Sequence, residues 1–67
     1  MAVLKVIEVL ASSSTSWDDA TKQGIVEAGK SLKNIRSAYV KEHSVTVNNN
    51  QVTHYRVNLK ITFEVES

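Results

Sequence analysis

The chain has 67 residues, no cysteine, and a formal net charge of +1 from eight basic and seven acidic residues. This length predicts one domain over residues 1–67, and the cysteine count excludes disulfide bonds and cysteine-based zinc or redox sites. A domain this small buries only about 60% of the surface of its unfolded chain, so we expect oligomerisation to supply further stability.

The distribution of charged and apolar residues argues against nucleic-acid and membrane partners. The basic residues are scattered and form no cluster that would follow a phosphate backbone. The longest apolar stretch, AVLKVIEVLA, is interrupted by Lys5 and Glu8 and is too short to span a bilayer. It also lacks the layout of a signal peptide, so we expect a soluble, cytoplasmic protein.

Residues 2–10 predict a β-strand that is apolar on both faces. One face carries Val3, Ile7 and Val9. The other face carries Leu4, Val6 and Leu10, with Glu8 among them. A strand with two apolar faces is usually covered on both sides, and a single helix covers only one.

The following segment predicts a helix from about residue 17 to 33. Ser16 is a good N-cap, and Asp19 at the third helical position makes a weaker version of the capping box. Trp17 is interpreted as a core or interface anchor at the helix start. Small residues recur every four positions and let the helix lie close against a sheet; they are Ala20, Gly24 and Ala28.

Residues 35–47 and 52–65 predict a long β-hairpin around the turn sequence NNNQ. The second arm alternates cleanly between an apolar and a polar face. The first arm is less regular, and a β-bulge near residues 41–44 would bring its two halves into phase. These elements predict an α+β fold of order β-α-β-β, with a three-stranded antiparallel sheet against one helix.

The lengths of the predicted elements indicate self-association. A 17-residue helix is about 25 Å long, whereas a 14-residue strand is about 46 Å long. One helix therefore leaves part of the hairpin uncovered, and the second apolar face of the first strand is uncovered as well. We expect both surfaces to meet other copies of the chain in an obligate homo-oligomer.

No group of residues predicts an enzyme. The serines cluster before the helix and the histidines lie in the hairpin, so a Ser-His-acid site is not favoured, and both glycines lie inside the predicted helix rather than in a phosphate loop. His43 and His54 on opposite arms could form a metal site with Glu42, although solvated residues near the hairpin tip are the preferred interpretation.

Two polar groups are candidates for ligand binding. Arg56, Asn58 and Lys60 share a face that could meet solvent, a cavity or a bound anion, with solvent as the default interpretation. Arg36 and Tyr39 place a cation close to an aromatic ring, a combination that stacks on planar ligands and is also common at interface rims.

The chain resembles dodecins over nearly its whole length. The resemblance lies in the opening VLKVIEVLASSSTSW, the helix, NIRSAYVKE before the second strand, and the closing YRVNLKITFEV. It implies a sheet wrapped around one helix, twelve copies in a hollow shell, and non-enzymatic storage of a flavin such as riboflavin or FMN between subunits.

The resemblance also implies a set of flavin-binding residues. In dodecins a tryptophan at the start of the second strand stacks on the flavin, a glutamine in the third strand bonds its ring, and an acidic residue follows the tryptophan. Ser37, Arg56 and Glu42 stand at these positions, and Arg36 and Tyr39 complete the predicted pocket. A serine offers no aromatic face, and the loss of one stacking contact costs about 1 to 3 kcal/mol.

Two of the three dodecin ligand positions have therefore changed. The sequence is more similar to a branch of dodecins that lacks the tryptophan and is linked to calcium rather than flavin. Calcium is the alternative ligand, with Glu42, Asp18 and Glu8 as candidate ligands by residue type alone.

Overall fold

The computed structural model describes residues 2–65 and contains one helix and three strands in that range. The elements in chain order are β1 (Val3–Ser13), α1 (Trp17–Ala28), β2 (Ile35–Asn48) and β3 (Gln51–Val65). Both β1 and β2 pair antiparallel with β3, which gives the sheet order β1-β3-β2. The predicted α+β fold of order β-α-β-β is confirmed.

Strand β1 is longer than predicted. It continues through Ser12 and Ser13, which pair with Arg56 and Tyr55 of β3. Serine runs favour turns because the hydroxyl competes for backbone hydrogen bonds, but here the ladder with β3 supplies those bonds and extends the strand. Ser13 is buried, and its hydroxyl donates to the Asp19 carboxylate at 2.6 Å.

Helix α1 begins where the sequence predicts but ends five residues earlier. The Ser16 hydroxyl accepts a hydrogen bond from the Asp19 backbone N–H at 3.0 Å, which confirms the N-cap. The helix ends at Ala28, and Gly29 is its C-cap, because glycine is a poor helix former and the chain must return to the sheet. With 12 residues, α1 falls short of what a membrane-spanning helix needs, and residues 2–65 hold no other helix.

The hairpin between β2 and β3 turns at Asn49 and Asn50. Both have positive φ, 51° and 61°, which asparagine tolerates and a tight hairpin turn requires. The pairing register shifts between Val40 and Glu42, which confirms the predicted bulge. Two further shifts, at residues 35–37 and 46–47, were not predicted.

The core lies where α1 crosses the sheet. It consists of the buried residues Ala20, Val57, Leu59 and Ile61. Gly24 brings the helix against β3 so closely that a Cβ built on it would lie 2.8 Å from Leu59 Cδ1. The predicted stripe of small residues therefore sets the distance between helix and sheet.

Much apolar surface lies outside this core. The chain measures 51 Å along its longest axis, whereas a 12-residue helix is about 18 Å long. Large apolar side chains are exposed on β1, on the outer side of α1 and at the hairpin tip; they include Leu4, Val6, Leu10, Val26, Val47 and Val52. The shorter helix leaves more apolar surface uncovered than the sequence predicted.

Candidate functional site

The side of the sheet opposite α1, called here the helix-free face, carries all five residues of the predicted ligand site. The strand register arranges this face in rows about 7 Å apart, two residues along β1 and β3; on β2 the bulge makes one step, from Tyr39 to Glu42, three residues. From one end to the other, the rows contain Leu4 and Glu64; Val6, Thr62 and Ser37; Glu8, Lys60 and Tyr39; Leu10, Asn58 and Glu42; and Ser12, Arg56 and Ser44.

Arg36 and Arg56 lie at opposite ends of the helix-free face. Arg36 falls in the register shift at the start of β2, and its Nε lies 3.1 Å from Glu64 Oε1. Glu64 and Arg56 are eight residues apart on β3, which corresponds to about 27 Å. The predicted pocket residues therefore do not converge within one chain.

Ser37 and Tyr39 lie between these ends, and both are exposed. Ser37 is opposite Thr62, so no aromatic ring is present in that row. Tyr39 is 66% exposed in the next row, opposite Lys60. It is the aromatic side chain of β2, and it presents its ring outward from the sheet edge.

Glu42 and Arg56 do come together. They line a shallow pocket of about 200 Å³ with Leu10, His43, Ser44 and Asn58. Asn58 Nδ2 donates to Glu42 Oε1 at 3.3 Å. Pockets for small molecules usually measure about 300 to 1,000 Å³, so a ligand held here would need a second surface to enclose it.

Leu10 and Ser44 were not predicted as site residues. Leu10 appeared in the sequence only as an apolar residue of the first strand. The bulge between Val40 and Glu42 brings Glu42 onto the helix-free face, with Ser44 two residues further along. Ser44 could have been predicted as a pocket residue only from the exact position of this bulge, because the bulge decides which face of the sheet Ser44 lies on.

A larger pocket of about 340 Å³ lies between β1 and α1. Its lining comes from four residues of each element and includes Gly24 and Ala28. The polar side chains in it are Ser12, Gln23 and Glu27. It contains none of the predicted ligand residues, and it borders the unpaired edge of β1.

His43 and His54 lie on opposite faces of the sheet, so the alternative of a metal site between them finds no support. His43 lies on the helix side of the sheet, with its ring centroid 5.5 Å from that of Trp17. His54 pairs with Thr46 and lies on the helix-free face. The bulge in β2 separates the two, because it changes the alternation between His43 and the rest of its strand.

The predicted calcium ligands are also separated. Glu8 lies on β1, where its carboxylate is 3.3 Å from Lys41 Nζ, and Glu42 lies on β2. Asp18 belongs to the first turn of α1, on the other side of the sheet. Within residues 2–65, no group of three or more histidine, aspartate or glutamate side chains is arranged to hold a metal ion.

Trp17 anchors the helix start to the hairpin. Its Nε1–H donates to the Ser44 carbonyl at 3.0 Å. Its ring makes edge contacts with His43 and Tyr55, with centroid distances of 5.5 Å and 5.2 Å. Trp17 therefore positions the strand segment that borders the Glu42–Arg56 pocket, from the opposite side of the sheet.

Comparison with known proteins agrees with this fold. The Dodecin family model matches residues 3–66. The chain belongs to the dodecin family. Calcium dodecin from Mycobacterium tuberculosis is 34% identical over 65 residues, which is 97% of this chain and 92% of that protein.

Solved dodecin structures have the same architecture. Dodecin from Streptomyces coelicolor superposes with a TM-score of 0.95 at 26% identity, over 98% of this chain and 94% of that one. The crystal structure of calcium dodecin from Mycobacterium tuberculosis has a TM-score of 0.85 at 33% identity, over 96% and 91% of the two chains. That structure is described as calcium-chelating, with a novel calcium-binding site.

Proposed function

We propose that this dodecin is a non-enzymatic binding and storage protein, in which twelve copies form a hollow shell and hold a small ligand between their helix-free faces. The observation that carries the proposal is the exposure of this face. Leu4, Val6 and Leu10 form an apolar stripe along β1 and are 54%, 57% and 65% exposed; Leu10 lines the Glu42–Arg56 pocket, and the other two lie further along the strand. A second subunit would cover the apolar stripe and enclose the pocket in one step.

The first candidate ligand is a flavin, riboflavin or FMN. Tyr39 offers an aromatic ring one row from the pocket, and the ring is open to a partner. A planar ligand stacked on it would recover part of the contact that Ser37 cannot provide. The pocket and Tyr39 together fit a ligand that lies flat against the sheet and is closed in by the facing subunit.

A fluorescence titration tests this candidate. Flavin fluorescence is quenched when the ring stacks on an aromatic side chain, so we expect riboflavin or FMN to be quenched with micromolar or better affinity. A Tyr39→Ala variant should bind more weakly, while a Tyr55→Phe variant, changed on the helix side, should bind as the parent does. Undiminished fluorescence at high micromolar protein would exclude flavin.

The second candidate ligand is calcium. It is supported by the relative with 34% identity, which is named calcium dodecin. Glu8 and Glu42 lie on the same face but on the two outer strands, about 10 Å apart across the sheet. Calcium takes six to eight oxygen ligands at about 2.3 to 2.6 Å, so such a site would have to combine carboxylates from neighbouring subunits.

Thermal unfolding with and without calcium tests this second candidate. A ligand at 100 times its dissociation constant adds about 2.7 kcal/mol to stability, which should raise the melting temperature measurably. Magnesium at the same concentration is the control, because it prefers a smaller, octahedral site. Identical melting curves in calcium and in chelator would exclude calcium binding to the folded protein.

A further inference from the structure

The single tryptophan of the chain, Trp17, lies on the helix side of the sheet, behind the Glu42–Arg56 pocket. Its ring contacts the rings of His43 on β2 and Tyr55 on β3, at centroid distances of 5.5 Å and 5.2 Å. His43 directly follows Glu42 in the chain, and Tyr55 directly precedes Arg56. Trp17 therefore contacts the chain neighbour of each charged residue that lines the pocket.

The β2 segment of residues 42–44 is weakly supported by the sheet itself. It begins immediately after the bulge between Val40 and Glu42, and a bulge locally disrupts the ladder of backbone hydrogen bonds. β2 is also an outer strand, so a neighbouring strand of the same chain supports it on one edge only. All three residues of the segment line the pocket. Movement of this segment would therefore displace the Glu42 carboxylate.

Trp17 connects this segment to the helix. Helix α1 packs mainly on β1 and β3 and makes its fewest contacts with β2. Within residues 2–65, the side-chain hydrogen bonds and ring contacts that join α1 to β2 all involve Trp17. The Trp17 Nε1–H donates to the Ser44 carbonyl at 3.0 Å, two residues after Glu42. Asn58 Nδ2 donates to the Glu42 carboxylate at 3.3 Å, so the backbone of the segment and its acidic side chain are held by different partners.

We propose that Trp17 is a positioning residue of the pocket, which fixes residues 42–44 from behind the sheet and so orients the Glu42 carboxylate before a ligand binds. Trp17 does not itself line the pocket. A segment that is ordered in advance spares the ligand the entropic cost of ordering it, which raises affinity. This inference rests on the proposed ligand binding at the helix-free face, and it adds a residue from the other side of the sheet.

Riboflavin titration of the intact Trp17→Phe assembly tests the inference. Phenylalanine keeps an aromatic ring at the helix start but cannot donate to the Ser44 carbonyl. One neutral hydrogen bond corresponds to about twofold to tenfold in an equilibrium constant. We expect the dissociation constant of riboflavin to rise by this factor.

A double-mutant cycle shows whether the effect passes through Glu42. In a Glu42→Ala background the carboxylate is absent, so Trp17→Phe should weaken riboflavin binding little further, and the two effects should not add. In an Arg56→Met background Trp17→Phe should keep its full effect, because the bond that it removes is to β2 and not to β3. An undiminished effect of Trp17→Phe in Glu42→Ala would overturn the inference.

Gly24→Ala is the matched control for a general loss of stability. Gly24 lies in the contact between helix and sheet, where an added Cβ would be 2.8 Å from Leu59 Cδ1, and it does not line the Glu42–Arg56 pocket. We expect Gly24→Ala to lower stability and to leave riboflavin affinity unchanged. Equal weakening by Gly24→Ala and Trp17→Phe would overturn the positioning role, and so would unchanged affinity in Trp17→Phe.

Hydrogen–deuterium exchange without ligand separates this inference from the proposed function. Loss of the Trp17 bond should speed exchange in peptides that cover residues 40–47, because local opening becomes easier there. Peptides that cover residues 3–9 should exchange as in the parent protein. Unchanged exchange over residues 40–47 would overturn the inference whichever ligand binds. If the parent protein binds neither riboflavin nor calcium, the proposed function fails, and faster exchange in Trp17→Phe would then show a structural role alone.

Discussion

Gly24 of α1 and Leu59 of β3 are in contact at a position where only a hydrogen atom fits. A Cβ on Gly24 would lie 2.8 Å from Leu59 Cδ1 and 3.1 Å from Ala11 Cβ. Leu59 is fully buried and has little room to move aside. Gly24 therefore allows the helix to pack on the sheet, in spite of its poor helix propensity.

We predict that Gly24→Ala destabilises the protein by about 1 kcal/mol. The substitution gains about 1 kcal/mol of helix propensity, and overpacking a filled core costs about 1 to 3 kcal/mol. Gly29→Ala is the matched control, because Gly29 is exposed at φ −65° with its nearest contacts at 3.3 Å and 3.4 Å. It should be neutral or stabilising. Urea unfolding at equal protein concentrations measures both, and a more stable Gly24→Ala would contradict the packing account.

The anchor made by Trp17 can be divided into its hydrogen bond and its ring. Trp17→Phe removes the Nε1–H bond to the Ser44 carbonyl and keeps an aromatic ring, so we expect a loss of about 0.5 to 1.5 kcal/mol. Trp17→Ala also removes the contacts with His43 and Tyr55 and should cost more. Tyr39→Ala, at an exposed ring, should change the unfolding free energy little. Equal stability of Trp17→Ala and the parent would show that the anchor is not needed.

The apolar stripe on the helix-free face of β1 should be needed for assembly. Val6→Glu places a charge where a neighbouring subunit is expected to bury the surface, and an unpaired buried charge is strongly unfavourable. We expect dissociation into smaller species that retain the parent's circular dichroism spectrum. Lys22→Glu, on an exposed position of α1, should leave the assembly intact. An intact Val6→Glu assembly would place the interface elsewhere.

Ser37 is the position at which an aromatic ring should improve flavin binding. Ser37→Trp adds a stacking surface two residues from Tyr39 on the same strand and face. Stacking on one aromatic ring contributes about 1 to 3 kcal/mol, which corresponds to roughly one to two decades in affinity. Ser14→Trp, at an exposed bend outside the sheet, is the control. Unchanged affinity in Ser37→Trp would show that the flavin does not contact this row.

Most of the fold could be predicted from the sequence because local signals agree with tertiary packing. Ser16 caps the helix, the paired asparagines adopt the positive φ angles of the turn, and β3 alternates between apolar and polar residues. The predicted end of the helix, near residue 33, was wrong because the segment GKSLKN contains good helix formers. In the structure the helix ends at Ala28, and the chain turns back to the sheet from Gly29 onwards. The predicted end of the first strand, at residue 10, was also too early, because backbone pairing with β3 extends β1 to Ser13.

The arrangement of the candidate site was harder to predict. A strand shows its faces by simple alternation, and each bulge inverts that alternation from there on. The bulge between Val40 and Glu42 was foreseen, and it leaves Glu42 near Arg56. The shift at Arg36 was not foreseen, and it directs this side chain to Glu64. The five predicted ligand residues do lie on the helix-free face, but the sequence did not show that only Glu42 and Arg56 among them line one pocket.

Size-exclusion chromatography with light scattering, on protein incubated with riboflavin, tests the central claim most directly. We predict one peak of about twelve chains, roughly 90 kDa from a chain of 7.4 kDa, with flavin absorbance eluting in the same peak. A peak of one or two chains at micromolar concentration would contradict the shell. A twelve-chain peak free of flavin absorbance would contradict flavin storage.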